Sequence, residues 1–133
     1  MIKDKINFKD FDKLDVRIGT VVKAEVPEWS HWVMKLTVEL GEEIGERTIF
    51  AGIMTHYKLE EIEDKQFPFV VNMEPKKIGP EGDYSEGMMM AADLILDPEK
   101  ADPASPSGLR GASEGKPVLF ELTEKVPDGT KVK

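Results

Sequence analysis

Basic residues in a loop and on two strand-like segments could bind phosphate in this chain of 133 residues. Lys76 and Lys77 follow Pro75, where flexible ammonium groups can act as point charges on phosphate oxygens. Arg17 and Lys35 occupy polar positions of two alternating segments, and we expect them near the pair after folding. Adjacent lysines are also common on ordinary protein surfaces. The spacing therefore indicates a phosphate contact without excluding a solvated pair.

A second candidate group consists of the aromatic residues Trp29, His31 and Trp32, which precede the second alternating segment. Exposed rings at a groove stack on unpaired bases, a contact worth about 1–3 kcal/mol per base. Buried tryptophans also dominate protein cores and subunit interfaces, and a peptide-binding groove uses the same side chains. The sequence leaves stacking, packing and peptide binding open for Trp29 and Trp32.

The sequence offers no catalytic or metal-binding constellation. Ser85 and Glu86 could pair as nucleophile and base, but no histidine is close in sequence and no strand-turn-helix elbow surrounds the serine. His31 and His56 are isolated, the chain has no cysteine, and no phosphate-binding glycine loop or dinucleotide motif is present. We expect a protein that is not an enzyme and uses no metal or cofactor.

Overall charge limits how these residues could bind a nucleic acid. The formal net charge is -8, and both halves of the chain are acidic, whereas affinity for a polyphosphate comes largely from basic side chains. Only a local basic patch could bind RNA. The absence of cysteine fits a reducing compartment, and no apolar run is long enough for a signal peptide or a membrane span. We expect a cytoplasmic protein that does not contact membranes.

Alternation of apolar and polar residues with a period of two indicates a mainly β chain. The first predicted strand covers residues 15–26, with the even-numbered residues from Val16 to Val26 inward and Gly19 at a bend. The second strand is predicted to direct inward the apolar residues Met34, Leu36, Val38 and Leu40. The other predicted elements are strands at residues 47–53, 67–73, 88–96 and 118–122 and a short helix at 59–65.

Five or more strands with one short helix after the third match a five-stranded oligonucleotide-binding (OB) barrel, an all-β Greek-key fold. The chain length allows one hydrophobic core, so we assign residues 1–133 to a single domain with N-terminal and C-terminal extensions. Residues 97–116, rich in proline and glycine, are predicted to form an extended loop. Ligands of this fold bind on the exposed face around strands 2 and 3.

Six segments spread over almost the whole chain resemble one protein family. They are residues 10–25, 35–41, 51–53, 71–78, 85–88 and 127–133. Taken in order, they resemble the bacterial tRNA-binding domain family, which includes structure-specific tRNA-binding proteins, the C-terminal domain of many methionyl-tRNA synthetases and a branch of secretion chaperones. The resemblance implies an OB barrel, usually dimeric, that binds tRNA by shape and without catalysis.

The same resemblance assigns roles to individual residues. Ser85 and Met88 match the Ser-Glu-Gly-Met segment of the family, which the resemblance places in the tRNA-binding groove. Lys76 and Lys77 match its basic segment, and Arg17 matches an arginine of its first strand. Together with the residues considered above, the candidate tRNA-binding set is Arg17, Lys35, Lys76, Lys77, Ser85, Met88, Trp29 and Trp32.

The segment before the second strand departs from the tRNA-binding pattern, because residues 29–33 contain no lysine where family members commonly have one. That segment and the turn at residues 41–45 are more similar to the chaperone branch. The leading prediction is a free-standing tRNA-binding module or an accessory subunit of methionyl-tRNA synthetase. We expect a homodimer, for which Ile2, Ile6 and Phe8 offer apolar surface. The alternatives are a chaperone-like module that binds extended polypeptide in the same groove and a scaffold that has lost RNA binding.

Overall fold

The computed structural model describes residues 1–80, 82–95 and 115–133. Most of the predicted loop at 97–116 lies outside the described residues, while residues 115 and 116 begin a strand. In chain order, the described elements are α1 (Phe8–Asp12), β1 (Val16–Glu25), β2 (Met34–Glu39), β3 (Glu46–Ala51), α2 (Leu59–Ile62), β4 (Gln66–Val70), β5 (Lys76–Lys77), β6 (Tyr84–Ser85), β7 (Met88–Met89), β8 (Ala91–Ile95), β9 (Gly115–Leu119) and β10 (Lys131–Val132).

Five of these strands form an antiparallel sheet that curls into a barrel. Their order is β3-β2-β1-β4-β7, and β10 joins β1 outside this path. The two end strands meet through the segment before β7, where Glu86 N donates to Thr48 O at 2.8 Å and Phe50 N donates to Ser85 Oγ at 3.0 Å. These bonds pair backbone N–H and C=O groups on the outer edge of β3, which would otherwise be unpaired. The prediction of an all-β, five-stranded OB barrel is confirmed.

β1 is the central strand, and its register changes along its length. Its first half pairs with β4 and its second half with β2, and the register with β2 shifts between Val21 and Lys23. Val21 is fully buried, whereas Val22 and Val26 are exposed. The predicted inward direction of Val22 and Val26 is wrong. The irregularity at Val22 breaks the alternation there, and Val26 lies beyond the end of β1.

Gly19 lies where β1 passes closest to β2. A Cβ atom at this position would lie 2.6 Å from side-chain carbons of both Val38 and Leu40 and 3.0 Å from Glu39 O. A real Cβ atom does not approach its neighbours this closely, so only glycine fits without a shift of β2. The close approach of the two strands therefore explains this glycine, and the register shift occurs beyond it.

The core is filled from the inner faces of β1, β2, β3 and β4 and from α2. The buried inner residues of β2 and its end are those predicted, Met34, Leu36, Val38 and Leu40. Ile62 of α2 is also fully buried, and Leu59 packs against the same cluster. α2 ends at Ile62 rather than at residue 65, because Glu63 is extended and Asp64 has a φ of 64°. The predicted helix is thus present but shorter by one turn.

The C-terminal segment around β10 is attached to β1 beside β2. Gly129 N donates to Ile18 O at 2.7 Å, and β10 continues the pairing along the start of β1. Gly129 (φ 89°) also packs against Gly41 (φ 87°), and a Cβ atom at Gly129 would lie 2.6 Å from Leu40 O. Both glycines adopt the left-handed conformation that other residues disfavour. The turn at Gly41 and the C-terminal segment therefore pack against each other beside the first half of β1.

Two elements project from the barrel. α1 has no buried residue, and its first turn is capped by Asn7, whose side chain accepts a hydrogen bond from Asp10 N at 3.0 Å. The hairpin of β8 and β9 is held to the barrel by Tyr57, whose hydroxyl donates to Pro117 O at 2.9 Å. The sequence analysis did not predict α1, since a helix of five residues has too little periodicity to detect.

The last predicted strands differ from the observed ones in their bounds. The strand predicted at residues 88–96 is divided at Met90 into β7 and β8, and β9 ends at Leu119, before the end of the strand predicted at 118–122. A change of direction at Met90 lets β7 pair with β4 while β8 leaves the barrel to pair with β9. Neither helix in the described part of the chain is long and apolar enough to cross a membrane.

Candidate nucleic-acid interface

The predicted lysine pair forms strand β5 of a short hairpin next to the barrel. Lys76 pairs with Ser85 and Lys77 with Tyr84 of β6. Ser85 is only 6% exposed, and its hydroxyl accepts from Phe50 N at 3.0 Å and donates to Gly87 O at 2.9 Å. Since Phe50 belongs to β3, this one side chain fastens the lysine-bearing hairpin to the barrel wall.

The hairpin and the outer face of β2 and β3 enclose a groove of about 280 Å³. We call it the hairpin groove; its lining residues are Lys35, Thr48, Phe50, Gly82, Asp83, Tyr84 and Glu86. Lys35 and Phe50 are cross-strand partners, so both project from the outer face of the sheet. The groove therefore lies on the face around strands 2 and 3 that the sequence analysis predicted as the ligand side.

Lys35 lines this groove, and Lys76 and Lys77 lie on the other strand of the adjoining hairpin. Lys76 and Lys77 are exposed and Lys35 is partly exposed. Within the described ranges none of the three forms an ion pair; the four ion pairs there involve other cations, at Lys13, Arg17 and Lys23. The structure thus brings Lys35 together with the hairpin that carries Lys76 and Lys77, as predicted.

Arg17 does not belong to this group, and the expectation that it is exposed near the lysines is wrong. Its side chain is buried, with a residue exposure of 5%, and its Nε atom donates to Asp15 Oδ1 at 2.7 Å. Its Nη1 atom donates to Glu43 Oε2 and to Gly129 O, each at 3.2 Å. The hydrogen bonds with Asp15 and then Glu43 raise the pKa of the guanidinium. The C-terminal segment covers this part of β1, which an alternation pattern within one strand cannot show.

The two motif residues Ser85 and Met88 have different environments in the structure. The hydroxyl of Ser85 makes both of its bonds within the chain, which assigns it a structural role in the hairpin. Met88 is 47% exposed on β7, where it pairs with Val70 at the barrel edge. Met89 packs against the core instead, in agreement with the expectation that consecutive methionines on a strand face opposite sides.

The two tryptophans have different environments. Trp29 is half-buried, its ring centroid lies 6.0 Å from that of Phe50, and it also lies against Gly79. Trp29 thus packs against a residue that lines the hairpin groove. Of the three roles left open by the sequence, the structure shows packing for Trp29. Trp32 is 45% exposed and does not line the hairpin groove. Its ring remains available to a ligand at the neighbouring surface.

The sequence analysis missed several residues that shape the groove. Arg47 donates from Nη1 to Val71 O at 2.6 Å and to Glu86 O at 3.2 Å, so it fixes the segment that closes the barrel. Tyr84 and Asp83 line the groove directly. Alternation places Tyr84 on the side opposite its neighbour Ser85, but the burial of Ser85 depends on β3 and is not visible in the sequence. Among the described residues, no group of three acidic or histidine side chains could hold a metal ion.

Comparison with known proteins identifies the family of this chain. The model of the family described as "Putative tRNA binding domain" matches residues 16–131. The chain belongs to this family. A tRNA-binding domain of this kind is a non-catalytic binding module. The predicted resemblance is therefore confirmed over almost the whole barrel.

Individual relatives represent two branches of the family. The chain is 40% identical over 130 residues to a methionine–tRNA ligase of Archaeoglobus fulgidus, which covers 98% of the chain but 16% of the relative. Among solved structures, a MetRS-related protein from Pyrococcus horikoshii has a TM-score of 0.76 and 33% identity, over 98% of this chain and 100% of that one. The chaperone CsaA of Bacillus anthracis has a TM-score of 0.71 and 29% identity, over 98% and 100%. This tRNA-binding domain thus resembles proteins of both predicted branches.

Proposed function

We propose that this tRNA-binding domain binds tRNA without catalysing a reaction, with phosphate contacts from Lys35, Lys76 and Lys77 around the hairpin groove. The observation that carries the proposal is the position of these lysines, which form no ion pair within the described ranges. Lys35 lines a groove on the ligand face of an OB barrel, and Lys76 and Lys77 lie on the hairpin strand paired with Tyr84 and Ser85. The hydrogen bonds of Ser85 with Phe50 and of Arg47 with Glu86 fix the end of the hairpin to β3, so the groove is positioned by the barrel wall.

The acidic character of the chain limits how it can attract RNA. With a net charge of -8, the domain has little long-range attraction for RNA, so nearly all of the electrostatic contribution must come from the local contacts. Three phosphate contacts give a slope of about -2 to -3 in a plot of log affinity against log salt concentration. We expect binding that is clear at low salt and much weaker at physiological salt.

The first experiment is a titration of fluorescently labelled bulk tRNA with the domain at several salt concentrations. The double variant Lys76→Glu/Lys77→Glu should lose binding at all of them. Lys65→Glu/Lys125→Glu is the matched control, because it makes the same change of net charge at exposed residues outside the hairpin groove. Equal affinities of the two variants would contradict the proposed site, and an unmeasurable affinity of the unmodified domain at low salt would contradict tRNA binding itself.

We also propose that the domain acts as a free-standing module or accessory subunit for methionyl-tRNA synthetase. The support is the likeness to methionine–tRNA ligases, of which it spans 16% of the length in the Archaeoglobus fulgidus relative. An associated tRNA-binding domain raises the local concentration of tRNA near a synthetase without touching the reaction. Addition of the domain to a synthetase that lacks such a domain should lower the KM for tRNA and leave kcat unchanged. An unchanged KM would argue against this partnership.

Binding of extended polypeptide is the second candidate function. It is favoured by the likeness to CsaA and by the exposed ring of Trp32 close to the barrel. Apolar contacts with a peptide depend little on salt, whereas phosphate contacts weaken steeply. An unfolded polypeptide should therefore be titrated in parallel with tRNA. Salt-insensitive binding of the polypeptide, together with no binding of tRNA, would assign the domain to the chaperone function.

A homodimer is part of the proposal, and two exposed apolar surfaces support it. On α1, the rings of Phe8 and Phe11 are exposed and contact each other edge to face at 6.2 Å. On the hairpin of β8 and β9, Leu94 and Val118 are exposed on one face, and Phe120, directly after β9, is exposed as well. Isolated apolar side chains are normal on a surface, whereas contiguous ones indicate an interface.

Light scattering tests the dimer directly. The unmodified domain should have twice the monomer mass of 14.9 kDa. The variant Phe8→Ser/Phe11→Ser should shift the equilibrium to monomer, and Lys9→Ser, an exposed change on the same helix, should not. A monomer mass for the unmodified domain over the micromolar range would refute the dimer.

A further inference from the structure

The ring of Tyr84 is exposed in the hairpin groove. Tyr84 is 50% exposed and lines the groove, while its neighbour Ser85 is buried and fixed to β3. In β5, Lys77 lies directly opposite Tyr84, so the two side chains share a face of the hairpin. Lys35 lies on the far wall of the same groove. An aromatic face between two cationic groups is the arrangement that proteins use for single-stranded RNA, with stacking for the base and charge for the backbone.

The charges inside the groove favour a neutral group over a phosphate. Asp83 and Glu86 both line it. The carboxylate of Glu86 is held at the wall because its Oε1 atom accepts a hydrogen bond from Thr48 N at 3.2 Å. The carboxylate of Asp83 lies against Gly79, where a side chain would collide with it. A phosphate at this depth would meet two like charges, whereas the amino group of a base would find hydrogen-bond acceptors.

The size of the groove also limits the ligand. Its volume of about 280 Å³ is at the lower limit for a small-molecule pocket. One planar base fits such a space, and a double helix does not enter it. Unstacked bases in loops and at ends are the parts of an RNA that can be turned out into a protein groove.

We propose that the hairpin groove binds one unpaired nucleobase of the RNA, stacked on Tyr84, with its amino edge toward the carboxylates of Asp83 and Glu86. Lys35 and Lys77 then contact the phosphates on either side of this base. This inference rests on the proposed function and specifies which part of a tRNA the site recognises. It predicts a preference for cytosine over uracil, because cytosine presents an amino group where uracil presents an oxygen acceptor.

The variant Tyr84→Ala tests the stacking. Its affinity for tRNA should fall by about 5- to 150-fold, the loss that corresponds to one stacked base. Tyr84→Phe keeps the ring and should bind within about twofold of the unmodified domain, which separates stacking from a hydrogen bond of the hydroxyl. Because the ring is half exposed, both variants should keep the melting temperature of the unmodified domain. Unaltered tRNA affinity of Tyr84→Ala would overturn the inference.

The identity of the base is tested with short RNAs of equal length. Oligocytidine should compete with labelled tRNA better than oligouridine, and a blunt RNA duplex should compete least at equal nucleotide concentration. Asp83→Asn should reduce the difference between the two oligonucleotides, since an amide supplies a donor for uracil. Equal competition by both oligonucleotides, or stronger competition by the duplex, would refute the groove as a site for an unpaired base.

These outcomes are distinct from failure of the proposed function. If the unmodified domain binds tRNA and Lys76→Glu/Lys77→Glu does not, tRNA binding stands whatever Tyr84→Ala shows. If the unmodified domain binds no RNA at low salt, the proposed function and this inference fail together. If Tyr84→Ala binds normally while the lysine variant fails, only the stacked base is wrong, and the lysines contact a helical backbone instead.

Discussion

Removal of the Ser85 hydroxyl should weaken both the fold and tRNA binding. In Ser85→Ala, the N–H group of Phe50 loses its acceptor and the carbonyl of Gly87 loses its donor, in a region where the serine is 6% exposed. A buried polar group left without a partner costs about 1–3 kcal/mol. The same bond holds the lysine-bearing hairpin to β3, so its loss should also loosen Lys76 and Lys77.

The magnitude can be measured in two assays on the same variant. For a domain of this size, 1 kcal/mol corresponds to a change of about 3–6 °C in melting temperature, so Ser85→Ala should melt about 3–18 °C lower. Thermal unfolding followed by circular dichroism measures this shift, and the tRNA titration measures the accompanying loss of affinity. Thr55→Ala is the control, because it removes an exposed hydroxyl outside the groove.

The two measurements together distinguish an anchoring serine from one that touches RNA. An anchor predicts a lower melting temperature with weaker binding. A direct contact predicts weaker binding with the melting temperature of the unmodified domain. That second result, or no change in either quantity, would refute the reasoning from the hydrogen bonds of Ser85.

Three further variants test other parts of the structure. Lys76→Glu/Lys77→Glu should change the free energy of unfolding by less than about 0.5 kcal/mol, because exposed charges contribute little; a larger loss in urea denaturation would show that the pair has a structural role. Gly19→Ala should destabilise the domain by about 1–3 kcal/mol, since the new methyl group collides with β2 at Val38; urea denaturation equal to that of the unmodified domain would contradict the close approach. Arg17→Ala should cost about 1.5–3 kcal/mol through lost charge-assisted bonds. Because the pKa of Arg17 is raised in the folded state, its stabilisation is present below the unfolded pKa and is lost only at higher pH, so this cost should be the same at pH 6 and pH 9.

The main architecture could be predicted because it depends on local patterns. The alternation in β2 gave its inner face correctly, and the short amphipathic segment at Leu59 and Ile62 gave α2. The predictions were less accurate where the position of a residue depends on a neighbouring strand. The wrong direction predicted for Val22 follows from a register shift against β2, which is a property of two strands together.

The candidate site was predicted in its location but not in all of its roles. Lys35 is partly exposed and lines the hairpin groove, while Lys76 and Lys77 are exposed on the hairpin beside it. Arg17 has an equally polar position in its strand but is buried by a segment more than a hundred residues away. Burial by a segment that is distant in sequence is a tertiary effect, and no pattern within β1 indicates it. The role of Ser85 as an anchor was hidden for the same reason.

The attachment of the C-terminal segment to β1 has a consequence for biosynthesis. The bond between Arg17 and Gly129 joins residues 112 positions apart, and β10 occupies the edge of β1 next to β2. Ribosomes extend a chain at about 5–20 residues per second, so this edge of β1 remains unpaired for roughly 6–20 s until the C-terminal segment is synthesised. An unpaired strand edge is a template for association with other chains. A nascent chain of this protein therefore passes through an interval in which this edge of β1 is open to non-native association with other chains.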